Sequence, residues 1–158
     1  MRYVSRSAEE TAEIARTLGL FLRAGDSVLL YGELGAGKSV FARGAARALG
    51  VRSEMASPSF TLMQSYPGES CEVRHFDLYR LSGADELYFS GLEEQLSGEG
   101  AVSLIEWPQQ ADVCPVRRVE VDIGRGKAFD ERIIDIALFG MDGREDEIAR
   151  ALKRFEAK

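Results

Sequence analysis

Residues 32–39 read Gly-Glu-Leu-Gly-Ala-Gly-Lys-Ser, a match to the phosphate-binding P-loop pattern G-x-x-x-x-G-K-[ST]. The glycines let successive backbone N–H groups turn inward on the oxygens of a phosphate chain, so Gly35, Ala36, Gly37 and Val40 are expected to cradle a nucleotide. Lys38 adds a cation at the β and γ phosphates, and the Ser39 hydroxyl is placed to ligate the Mg²⁺ that accompanies them. A second source of chemistry is the apolar run Val102-Ser103-Leu104-Ile105, which ends in Glu106. A carboxylate at the end of such a strand can hold Mg²⁺ directly or through water. The plainer alternative is an exposed acid at a strand end. Trp107, the only tryptophan, either caps the core or borders the nucleotide pocket.

Residues 75–81, His-Phe-Asp-Leu-Tyr-Arg-Leu, crowd an imidazole, a carboxylate, a phenol and a guanidinium into one short segment. On composition alone the favoured reading is structural, with Asp77 and Arg80 as an ion pair and His75 at a polar core position. The tetrapeptide Ser57-Pro58-Ser59-Phe60 carries hydroxyls that could face a γ-phosphate as a switch loop.

These groups need elements to position them. Residues 27–31, Ser-Val-Leu-Leu-Tyr, predict a buried parallel strand before the glycine loop, and residues 39–49 predict a helix whose N-terminal dipole favours an anion. Ser7 followed by Glu10 forms a capping-box signature for an earlier helix running to about Arg23. Residues 60–66 and 71–76 predict a pair of strands about the turn Pro67-Gly68. Residues 84–89 and 92–96 predict short helical pieces, and residues 101–105 a second apolar strand. Residues 116–123 and 132–139 predict two more strands around Gly124-Arg125-Gly126. The expected fold is therefore α/β, a three-layer arrangement with a central, mostly parallel sheet flanked by helices. Residues 1–140 form the nucleotide-binding domain, and residues 141–158 an amphipathic terminal helix or tail.

The chain of 158 residues is one domain by length. Its net charge of −6 argues against holding nucleic acid by bulk electrostatics, which needs clustered Lys and Arg. Cys71 and Cys114 show no metal-binding spacing. The first residues lack the apolar stretch of a secretory signal, and no apolar run reaches membrane-spanning length, so a cytoplasmic protein is expected.

Taken in this order and spacing, the segments at 32–39, 57–60, 75–81 and 104–108 resemble the TsaE family, the bacterial P-loop ATPases of tRNA threonylcarbamoyladenosine biosynthesis. The resemblance covers about residues 7–140. The family usually carries Thr where this chain has Ser39, and Ser-Pro-Thr where it has Ser57-Pro58-Ser59; both changes keep a hydroxyl. The resemblance implies ATP and Mg²⁺ as cofactors, TsaD and TsaB as protein partners, and tRNA met only through their complex. It also implies Lys38 as the phosphate cation, Ser39 and Glu106 as Mg²⁺ ligands, and Asp77 as a further acid near the metal or the attacking water. Glu10 or Thr11, and Arg132, would touch the nucleotide. Two other readings stand beside it. A small-molecule kinase would need an arginine-bearing lid, which no segment supplies. A non-catalytic nucleotide-binding module would hydrolyse ATP slowly or not at all.

Overall fold

The computed structural model describes residues 1–58 and 60–157. Among these, seven strands form one sheet, in the spatial order β1-β7-β6-β2-β5-β4-β3. They are β1 (Arg2–Ser5), β2 (Ser27–Tyr31), β3 (Met63–Pro67), β4 (Glu72–Asp77), β5 (Ala101–Glu106), β6 (Arg118–Arg125) and β7 (Arg132–Phe139). The four central strands β6, β2, β5 and β4 run parallel. Antiparallel pairs of β1 with β7, β6 with β7 and β3 with β4 finish the sheet on its two sides. The helices that accompany it are α1 (Ala8–Gly19), α2 (Lys38–Ala48), α3 (Ala84–Phe89) and α4 (Glu145–Leu152).

The alternation of side chains along the central strands divides the core between two faces. Val28 and Leu30 of β2, with Val102 and Leu104 of β5, join Ile14, Leu18 and Phe41 of α1 and α2 in the larger cluster. Leu29 and Ile105 point the other way, into a smaller cluster with Phe76, Leu78 and Leu87. A buried strand between two apolar layers reads as a near-continuous apolar run, broken in β5 only by the buried Ser103, which is why β2 and β5 are the plainest strands in the sequence. Each of these side chains contributes roughly 1.5–3 kcal/mol by leaving water. The helices α1 and α2 approach closely at Gly44, where an added Cβ would lie 2.6 Å from the Ala12 carbonyl oxygen.

Several expected boundaries move. α1 stops at Gly19, because the N–H groups of Phe21 and Leu22 turn back three residues to Leu18 and Gly19 and tighten the chain. Its cap keeps half of the expected box: Ser7 accepts from Glu10 N at 3.0 Å, but Glu10 Oε2 accepts from Arg6 N, one residue before the cap, at 2.6 Å. β3 begins only at Met63, since Leu62 takes a left-handed conformation (φ 64) and donates to Pro58 O at 2.8 Å, closing a turn where strand was expected. Pro67, expected in the turn, ends β3 on the sheet edge, where its missing N–H costs no pairing. The helical piece expected over 92–96 is a 3-10 turn at Glu94–Ser97, starting two residues later and ending one later. Strand β1 has no counterpart among the expected elements. It is four residues long and exists through its partner, with the Met1 ammonium donating to Ile136 O at 2.8 Å.

Residues after 140 pack into the same core as the rest. Ile148 and Leu152 of α4 and the preceding Met141 are fully buried in the larger cluster. Arg144, buried just before α4, forms a two-point ion pair with the fully buried Asp26 at 2.7 and 3.0 Å. Arg117 approaches the same carboxylate at 2.8 Å. Burial pushes the Asp26 carboxyl up, but the Arg144, Arg23 backbone and Arg117 hydrogen bonds hold it below its ordinary value.

Candidate functional site

The parallel strands β2, β5 and β4 end side by side at Tyr31, Glu106 and Asp77, and the register sets Asp77 next to Glu106 and Glu106 next to Leu30. Loop 32–37 crosses this edge and runs into α2, whose first residue is Lys38 and whose cap, Gly37, has φ 113. With Gly32 at φ 145 and Gly35 at φ 77, the loop uses the backbone region that side chains disfavour, as a phosphate cradle requires. Ligands of open α/β sheets sit at this carboxyl edge. A cleft of about 460 Å³ lies there, lined by Gly35, Gly37, Lys38, Ser39, Val40, Asp77 and Glu106 among others.

Within the cleft, Lys38 Nζ donates to Gly32 O at 2.6 Å and Glu33 O at 2.8 Å. The ring of Trp107 covers the same ammonium at 4.3 Å. Burial lowers the Lys38 pKa, and the charges of Glu106 and Asp77 partly offset that. Trp107 itself adopts φ 58, ψ 47, an uncommon region for a bulky residue and one that clusters at functional sites. Its ring also meets Tyr79, centroid to centroid, at 4.9 Å. The tryptophan thus borders the cleft rather than only capping the core.

Glu106 is almost wholly buried. The Ser39 hydroxyl donates to its two oxygens at 3.0 and 3.1 Å, and His75 Nε2 lies 2.6 Å from Oε2. Among the described residues no group of three or more His, Cys, Asp or Glu side chains converges as a metal site. Mg²⁺ does not demand one beside phosphates, since it binds through one or two protein oxygens and keeps waters. The oxygen donors of Ser39 and Glu106, already facing each other, fit that ion.

The segment at 75–81 departs from its structural reading at one point. Among the described residues Asp77 forms no ion pair with Arg80: its oxygens accept from Tyr79 N at 3.1 Å and Ser57 Oγ at 3.3 Å. The Arg80 guanidinium stacks instead on the Phe60 ring at 4.5 Å. His75 is buried, as a polar core residue should be, but its contact with Glu106 has no counterpart in the sequence reading. Of the switch-loop tetrapeptide, Ser59 lies outside the described residues.

A second hollow of about 150 Å³ opens on the other side of the glycine loop, sharing Gly35, Gly37 and Val40 with the cleft and adding Ala36, Thr11 and Arg132. Arg132 braces the loop through Ala36 O at 2.9 Å. Glu10 lines neither hollow; its carboxylate is spent on the Arg6 N–H ahead of α1. The described residues include no helix long and apolar enough to cross a membrane.

Strand, glycine loop and helix in that order, with an acid on the neighbouring parallel strand, define a three-layer α/β protein built around a phosphate-binding loop pattern. The family model described as "Threonylcarbamoyl adenosine biosynthesis protein TsaE" matches residues 5–134, and the chain belongs to the TsaE family. Among curated relatives, a Treponema pallidum protein is 41% identical over 70% of this chain and 80% of its own. A Bacillus subtilis protein is 33% identical over 99% of this chain and 96% of its own. Both bear the name tRNA threonylcarbamoyladenosine biosynthesis protein TsaE. The crystal structure of Bacillus subtilis YdiB superposes with a TM-score of 0.72 at 30% identity, covering 98% of this chain and 94% of that one.

Proposed function

We propose that the chain is a slow ATPase of tRNA threonylcarbamoyladenosine biosynthesis, acting with the TsaD and TsaB proteins. Family membership supports the pathway. The observation that carries the ATPase reading is the convergence of Lys38, Ser39, Asp77 and Glu106 on one cleft at the sheet's carboxyl edge. In this reading the N–H groups of the glycine loop and the first turn of α2 bind the phosphate chain. Lys38 exchanges its carbonyl partners for phosphate oxygens. Ser39 and Glu106 hold Mg²⁺, which neutralises charge on the phosphates when bound. Asp77, beside Glu106 at the end of the neighbouring strand, orients the attacking water. Thr11 and Arg132 meet the rest of the nucleotide in the second hollow.

Among the described residues Arg80 is the arginine that lines the main cleft, and its guanidinium is stacked on the Phe60 ring. Groups supplied in trans can raise such rates by about 10³–10⁵, so activity in the isolated chain is low and a partner complex stimulates it. Bound nucleotide controls that docking through residues 57–60 and 75–80. The deciding experiment is depletion of the protein in its host, followed by mass spectrometry of tRNA nucleosides. Threonylcarbamoyladenosine falls on depletion and returns with a wild-type copy but not with Lys38→Ala. Normal modification after complete depletion, with no second copy present, overturns the pathway role.

A further inference from the structure

We infer that His75 is the positioning residue for Glu106, holding the carboxylate in place for Mg²⁺ whatever the Ser39 hydroxyl is doing. The inference rests on the Mg-nucleotide reading above and adds to it a residue that takes no direct part in binding.

Two donors hold the Glu106 carboxylate, and the first is an imidazole. Glu106 Oε2 lies 2.6 Å from His75 Nε2, and both side chains are buried, His75 at 1% and Glu106 at 4% exposure. His75 Nδ1 is buried and has no hydrogen-bond partner among the described residues. A carboxylate can only accept, so the imidazole proton sits on Nε2. The other neutral tautomer would set two acceptors against each other at Nε2 and bury an unpaired N–H at Nδ1. His75 is therefore a one-ended donor aimed at a single acceptor.

The second donor to Glu106 is different in kind. Ser39 donates to it here at 3.0 and 3.1 Å; a serine that ligates Mg²⁺ uses an oxygen lone pair and keeps its O–H to donate, but that single hydrogen is shared between the two carboxylate oxygens. His75 is the donor directed at Oε2 from a buried ring, and it leaves Oε1 facing Ser39 and the metal. Its own position is rigid, because it stands in β4 between β3 and β5, paired in register with Gln64 and Leu104. Partners that orient metal-binding groups in this way commonly matter by roughly ten- to hundred-fold in metal affinity.

The phosphate cradle and Lys38 do not touch His75, so its loss acts on the Mg²⁺-dependent part of nucleotide binding alone. The test is calorimetric titration of ADP into wild type, His75→Leu and His75→Gln, each with EDTA and with Mg²⁺, alongside melting temperatures. All three bind ADP alike in EDTA. Mg²⁺ tightens binding in wild type, the Leu variant loses roughly ten-fold or more of that gain, and Gln, whose amide N–H can reach the place of Nε2–H, recovers most of it. A Leu variant with the full Mg²⁺ gain overturns the inference, and so does equal weakening with and without Mg²⁺, the mark of a merely structural histidine. Should His75→Leu not fold, His75→Asn, whose shorter amide cannot reach Oε2, takes its place; Asn and Gln behaving alike is again fatal. A wild-type chain that binds no nucleotide under either condition overturns the proposed function itself, which separates the two failures.

Discussion

Replacing Glu106 by Gln separates what this residue does for the fold from what it does for the chemistry. The two oxygens are not equivalent: Oε2 accepts from both His75 and Ser39, whereas Oε1 accepts only from Ser39. The Gln side chain can keep its carbonyl at the Oε2 position and turn its NH₂ to the Oε1 position. There the Ser39 hydroxyl rotates and accepts from the amide instead of donating. Every polar group keeps a partner, and only charge assistance is lost. Hydrogen bonds to charged groups contribute about 1.5–3 kcal/mol against about 0.5–1.5 for neutral ones, while relief from burying a carboxylate works in the opposite direction. The net change is about 1 kcal/mol, a melting shift of roughly 2–4 °C for a domain of this size. Function does not share that tolerance, since an amide cannot replace an anionic oxygen beside Mg²⁺. Turnover is expected to drop at least about ten-fold, as when a positioned acid is lost. The assay is phosphate release at saturating Mg-ATP per folded molecule, with melting curves on the same samples. Wild-type turnover in Glu106→Gln refutes the assignment. A fall in melting temperature several times larger than expected refutes the hydrogen-bond accounting.

Lys38→Ala should abolish hydrolysis and weaken ATP binding roughly ten-fold or more, because a charge-assisted bond of about 1.5–3 kcal/mol disappears; calorimetry on the folded variant reads it. Asp77→Asn should lower turnover at least about ten-fold with little change in melting temperature, and the reverse pattern would make Asp77 structural. Arg144→Met leaves buried Asp26 with Arg117 as its remaining ion-pair partner beside the Arg23 N–H, so the loss falls near the lower end of about 3–5 kcal/mol, roughly 6–12 °C in melting temperature, with ADP affinity unchanged. Asp26 has its folded pKa below the unfolded value. Its stabilisation is therefore complete above about pH 4 and lost as pH falls through the folded value, so the gap between wild-type and Arg144→Met melting temperatures narrows on acidification.

Features legible in the sequence are the local ones. The glycine loop carries its own geometry in consecutive residues, and β2 and β5 stand out as near-continuous apolar runs. Glu106 and Asp77 can be singled out by the motifs around them. The contact between His75 and Glu106 cannot, because it depends on β4 lying next to β5, which no local pattern specifies. The same holds for Asp26 and Arg144, 118 positions apart, and for β1, whose four residues gain strand character only from β7. The Asp77–Arg80 pair fails for the opposite reason. Two opposite charges three residues apart look like partners in a sequence, but a strand end turns them toward different neighbours, the Ser57 hydroxyl and the Phe60 ring.

The strand order has a consequence for how the molecule comes into being. β2 is made early, is buried along most of its length and pairs with β5 and β6. Both partners begin far downstream, β5 at Ala101 and β6 at Arg118. Until they arrive, an apolar strand has two unpaired edges. Such long loops must close before any pairing compensates for the lost chain entropy, which slows folding and leaves the unpaired strand open to association with other chains. The nucleotide cleft inherits this timing. Its glycine loop follows directly from β2, but Glu106 is the last residue of β5, so the site is completed only once the middle of the sheet has closed.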